Sequence, residues 1–351
     1  MAMDRTATSP VLQTFALGSP PWPTFDPFLF CVHHNDAYPV GDGALGPGPA
    51  SLAGRPLGND FAGTDGWSMY HGTKVPGFPQ HPHRGFETVT FVRRGLVDHS
   101  DSIRAVARYG AGDAQWLTAG AGIVHAEMFP LVRADEDNPM ELFQIWVNLP
   151  REDKMAEPYF AMLWAEDIPV IQHRDAHGRH TQVTVVAGSI DGRVAPSPPP
   201  NSWAARPDAD VAIWRIESDA HAEWTLPKAK DGTIRTLYVF EGAVGVGDEA
   251  IPTGTGVVLE AIRSVTIVGG DSGATALMLQ GRPIGEPVAQ YGPFVMNDRA
   301  GIEQAFADYR RTEFGGWPWP DDAPTHGLTD GRFVRRPDGS LELPPDTSAV
   351  G

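Results

Sequence analysis

Residues 81–95 read His-Pro-His-Arg-Gly-Phe-Glu-Thr-Val-Thr-Phe-Val-Arg-Arg-Gly. The run from Glu87 to Val92 is rich in β-branched and aromatic residues and ends at Gly95, which is how a short strand closing in a turn is written. The same rhythm continues outward. Strands are expected over Ser102–Tyr109, Asp113–Thr118, Ile123–Phe129 and Met140–Asn148. Turns are expected at Gly95, Gly110, Gly112, Gly120 and Gly122, because glycine reaches positive φ without strain. From about 76 to 150 this predicts one antiparallel barrel.

The rhythm stops at 189–207, where Ala-Pro-Ser-Pro-Pro-Pro cannot supply ladder donors and reads as a linker or surface loop. It returns in Val211–Ile216, Thr233–Phe240, Gly256–Leu259, Ser264–Val268 and Ala274–Leu279. Residues 88–95, Thr-Val-Thr-Phe-Val-Arg-Arg-Gly, are echoed by residues 236–242, Thr-Leu-Tyr-Val-Phe-Glu-Gly, which points to an internal duplication. Asp298 is placed to cap a helix over 297–315 whose stripe is Ile302, Ala305, Phe306 and Tyr309. The division is therefore 1–75, a loop-rich segment with one strand near Pro27–His33; 76–188, a first barrel; 208–296, a second barrel; 297–315, a helix; and 316–351, a surface tail.

Chemistry concentrates in the first barrel. His81 and His83 are two residues apart, so on a strand both imidazoles face one side. His125 and Glu127 repeat the spacing. If both strands line one interior, three neutral nitrogens and a carboxylate converge, a donor set that suits Fe, Mn, Co, Ni, Cu or Zn. Glu87 shares the parity of His81 and His83, which leaves it open as a fourth ligand or as a partner holding a histidine tautomer. His33, His34, His99, His173, His177 and His180 are read as solvated loop residues. Phe86, Phe91, Gln115, Trp116, Phe143 and Trp146 are read as barrel core rather than substrate contacts. The second half holds no histidine between Trp224 and Gln280 and is expected to be metal-free.

Composition narrows the class. The chain has 351 residues, 41% of them hydrophobic, enough for two cores. With Cys31 as its one cysteine, it can form neither an internal disulfide nor a thiolate zinc cluster. A formal net charge of −17, with no basic run longer than an Arg-Arg pair, disfavours direct nucleic-acid binding. Neither a long apolar span nor a signal-like start is legible, so a cytoplasmic protein with no membrane association is expected.

Four stretches together resemble the pirin family of the cupin superfamily. They are His-Pro-His-Arg-Gly-Phe-Glu-Thr-Val-Thr at 81–90, Gly-Asp-Ala-Gln-Trp-Leu-Thr-Ala-Gly at 112–120, Gly-Ile-Val-His-Ala-Glu-Met at 122–128 and Gln-Ile-Trp-Val-Asn-Leu-Pro at 144–150. The stretches at 281–289 and 291–297 extend the likeness, which runs from about 76 to 315. The resemblance implies an all-β bicupin of two stacked cupin barrels with a short C-terminal helix. It implies one iron ion per chain in the N-terminal barrel, held by His81, His83, His125 and Glu127, with Glu87 unliganded. Two functions are implied: a quercetin 2,3-dioxygenase-like oxidoreductase acting on a flavonol or other small aromatic with Glu127 as catalytic base, or a non-enzymatic, iron-dependent redox sensor that binds a transcription factor or metabolic enzyme. The chain departs from typical pirins in a Gly- and Pro-rich insertion at roughly 36–74 and in its tail after Gly315.

Overall fold

The computed structural model describes residues 9–346 and divides into two compact units. Of the described residues, one comprises 29–167, 199–202 and 285–346; the other comprises 9–28, 168–198 and 203–284. Both are built of strands, as a chain so rich in alternating β-branched residues and turn-forming glycine requires. Each is a cupin-type half.

The first unit is a pair of sheets. The five-stranded sheet runs Tyr159–Leu163, Ala114–Thr118, Phe86–Arg94, Asn138–Asn148, Phe28–Tyr38. The six-stranded sheet runs Leu341–Glu342, Phe333–Arg335, Val106–Gly110, Leu96–Asp101, Ile123–Met128, Gly77–His83. Their inward faces supply one apolar cluster that includes Val92, Leu117 and Leu142 from one sheet and Val97, Tyr109 and Ile123 from the other. The chain changes sheets at Arg84-Gly85, between the strands Gly77–His83 and Phe86–Arg94. Gly85 holds φ 84°, and a Cβ there would lie 2.0 Å from the Val295 carbonyl oxygen, so only glycine fits this corner.

The second unit is one nine-stranded sheet around a separate core that includes Val183, Val185, Trp214, Trp224, Leu237 and Met278. Its two longest strands, Ile234–Val246 and Val265–Gly281, pair antiparallel, with register shifts near Val239 and Gly242 that bend the ladder. The helix Arg299–Thr312 starts where expected: Asp298 accepts a hydrogen bond from the Gly301 amide at 2.8 Å, and Ile302 and Ala305 are buried.

Several expectations change. The stretch Ser102–Tyr109 is not one strand: Leu96–Asp101 and Val106–Gly110 are strands, with a turn between them. Residues 170–187, assigned by sequence to the first barrel, form the strands Val170–Arg174 and His180–Ala187 of the nine-stranded sheet, because His180–Ala187 pairs with Ala212–Ser218. The N-terminal segment contributes two strands, not one: Val11–Ala16 pairs with Thr255–Leu259, and Phe28–Tyr38 pairs within the five-stranded sheet. The tail does not simply wrap the surface, since Phe333–Arg335 joins the six-stranded sheet beside Val106–Gly110. The first of these is a local hairpin, with Leu96 opposite Gly110, and the others rest on ladders between residues far apart in the chain.

Candidate metal centre

The strands Gly77–His83 and Ile123–Met128 run antiparallel, with His81 directly opposite His125. A register shift between Phe78 and His81 sets this pairing. The i, i+2 spacing then puts His83 on the same face. Ring centroids lie 4.5 Å apart for His81 and His125, 4.8 Å for His81 and His83, and 5.0 Å for His83 and His125. One potential ligand atom from each of the three lies within 4.8 Å of the others.

The cluster is electrically quiet. Burial lowers the imidazole of His81 to about 4 and those of His83 and His125 well below their ordinary value, and the neighbouring rings add to each shift. All three are neutral at physiological pH, as metal-binding imidazole must be. The His81 Nδ1 lies 2.8 Å from the Pro79 carbonyl, which places the proton on Nδ1 and leaves the Nε2 lone pair free. His125 has no solvent exposure, and neither of its ring nitrogens has a protein hydrogen-bond partner. A buried imidazole with two unmet nitrogens costs free energy unless something else ligates it. The donor set therefore fits a transition metal.

Glu127 adjoins this group. Its Oε2 is 3.9 Å from the His125 Nε2 and 3.2 Å from the Gln144 amide, while its Oε1 accepts a hydrogen bond from the Thr90 hydroxyl at 3.0 Å. Burial raises its pKa, against the opposing pull of His99, Thr90 and Gln144. Glu87 is fully buried and is bonded to Thr118 at 2.7 Å and Ser202 at 2.5 Å. No described hydrogen bond joins it to a histidine, so the tautomer-holding role that parity left open is not realised.

Sequence reading missed two features. His99 is not a solvated loop residue: it lies in the strand Leu96–Asp101, has no exposure, is 3.0 Å from Asp101 and has its ring 5.6 Å from that of His125. His99 and Asp101 repeat the i, i+2 device, and that spacing was the available signal. His33, His34, His173 and His180 also lie in strands; among the six, only His177 is in a turn. Phe86, Phe91, Gln115, Trp116 and Phe143 are buried as expected, whereas Trp146 keeps some exposure, with its ring 5.4 Å from that of His83.

Two cupin-type units, with one histidine cluster inside the first, define a bicupin. Residues 59–147 match the family model described as Pirin, and residues 213–315 match that of the Pirin C-terminal cupin domain. The chain belongs to the pirin family. It is 37% identical over 238 residues to a Pseudomonas aeruginosa protein named putative quercetin 2,3-dioxygenase, an overlap of 67% of this chain and 79% of the relative. It is 33% identical over 278 residues to pirin-like protein 2 of Arabidopsis thaliana, covering 77% of this chain and 79% of the relative. A crystal structure of quercetin 2,3-dioxygenase from Acinetobacter baumannii superposes with a TM-score of 0.68 at 28% identity, over 88% of this chain and 99% of that one. No described helix is long and apolar enough to cross a membrane.

Proposed function

We propose that this chain is an iron-dependent dioxygenase that cleaves a flavonol-like aromatic substrate with O₂, one ion being held by His81, His83, His125 and Glu127. The observation that carries the reading is His125, fully buried with both ring nitrogens unbonded beside two more neutral imidazoles. The names of the relatives from Pseudomonas and Acinetobacter supply the reaction class. The metal, when bound, supplies Lewis-acid charge beside a substrate oxygen and a redox-active centre for O₂.

The protein's part is orientation and proton handling. Thr90 and Gln144 fix the Glu127 carboxyl, which would take the proton of a substrate hydroxyl. Phe86 and Trp146, with ring centroids 5.1 and 5.4 Å from that of His83, line the site with apolar surface.

The test is metal analysis of purified protein, followed by oxygen uptake with quercetin in wild type and His83→Ala. Near one equivalent of iron, and uptake that disappears in the variant, is the expected result. Iron without uptake would favour the redox-sensing, partner-binding alternative, and protein without metal would overturn the reading.

A further inference from the structure

The strand Phe28–Tyr38 holds two half-buried residues of like parity, Phe30 and His34, on one face. Each reaches the histidine cluster through one other ring. Phe30 stacks on Trp146 at 4.6 Å, and Trp146 lies 5.4 Å from His83. His34 lies 5.9 Å from Phe78, which lies 6.3 Å from His81, all between ring centroids. Phe30, His34, Phe78, His81 and Trp146 all keep partial exposure, whereas His83, His125 and Glu127 are buried. These partly exposed rings border the buried cluster.

His34 is held in one chemical form. Its Nδ1 is 2.8 Å from the Tyr70 hydroxyl, and that hydroxyl donates to Asp36 Oδ2 at 2.8 Å. The other Asp36 oxygen accepts from the Ser68 amide at 2.9 Å. Because the phenol's single proton is committed to Asp36, His34 must be the donor at Nδ1, so its Nε2 carries the lone pair. That nitrogen has no protein partner among the described residues, and burial keeps the ring neutral. The chain Asp36, Tyr70, His34 has the logic of an acid-oriented imidazole, with a phenol inserted between the two. Tyr70 also stacks on Phe78 at 5.1 Å, giving the site a flat aromatic floor.

We propose that His34 Nε2 accepts a hydrogen bond from a ring hydroxyl of a planar phenolic ligand bound over Phe78, with Tyr70 and Asp36 as positioning residues. This rests on the flavonol-like reading and deepens it, since it names the residue that selects hydroxylated over unhydroxylated rings.

The test is equilibrium binding, read by fluorescence quenching on the full, metal-assayed protein. The probes are quercetin and 3-hydroxyflavone, which share the 3-hydroxyl but differ in their other ring hydroxyls. Wild type is expected to prefer quercetin, and His34→Phe, which keeps an aromatic ring, is expected to cut that preference about tenfold, near the worth of one hydrogen bond. Affinity for 3-hydroxyflavone should stay unchanged. Tyr70→Phe, which keeps its stack and loses only the hydroxyl, should move the ratio in the same direction. A ratio unchanged in both variants, or equal weakening of both probes, overturns the inference and leaves the dioxygenase reading intact. If neither probe binds wild type, both fall.

Discussion

At the scale of single residues, Glu87 makes the sharpest prediction outside the metal cluster. Burial raises its pKa from 4.5 to about 7, although the Ser202 and Thr118 hydrogen bonds pull it down. The folded protein therefore binds a proton that the unfolded chain releases between these values. Stability from this group is fully present below about 4.5, is lost as pH rises towards 7, and is flat above. Glu87→Gln removes the dependence. Relative to wild type, the variant should gain about 3 kcal/mol between pH 4.5 and pH 8, measured by urea unfolding across that range. A pH-independent difference would show that the carboxyl titrates normally. Gly85→Ala tests the corner between the two sheets: with φ at 84° and a carbonyl oxygen 2.0 Å from the new Cβ, the cost should be about 2 kcal/mol or more. A drop in the same unfolding midpoint reads it out.

At the scale of elements, the tail is an integral part of the six-stranded sheet. Arg108 is fully buried and pairs with Asp98 at 2.7 Å, and its remaining donors go to the backbone carbonyls of His326, Gly327 and Asp330. Trp319 donates to the Asp101 carbonyl, and Gln80, the residue before His81, bonds both the backbone and the side chain of Asp322. A chain ending after Pro320 would leave a buried guanidinium short of acceptors, which costs several kcal/mol. The expected outcome is a lowered urea midpoint together with reduced metal retention on dialysis, because the strand bearing His81 loses its outer partner. An unchanged midpoint would mean that the tail merely decorates the sheet.

At the scale of the whole molecule, neither unit is a contiguous stretch of chain. The nine-stranded sheet needs Val11–Ala16, Val170–Arg174 and His180–Ala187 as well as the later strands. A fragment cut at the sequence-based boundary, 208–296, lacks those strands and exposes the ladder of Ala212–Ser218. It should fail to give a dispersed amide spectrum by NMR, since an unpaired edge next to a depleted core cannot offset chain entropy. A folded spectrum from that fragment would show the outer strands to be dispensable.

The sequence by itself determined the strand-and-turn class, the helix capped by Asp298 and the pairing of imidazoles at i, i+2, because these are local: side-chain period, glycine conformation and capping chemistry act over a few residues. Only the tertiary structure decided which strands share a sheet, that the tail completes one of them, that His99 is buried beside His125, and that Tyr70 joins His34 to Asp36. Ladder partners more than a hundred residues apart, and hydrogen bonds such as that from Tyr70 to Asp36, depend on which buried surfaces meet once the chain has collapsed. No local pattern specifies that.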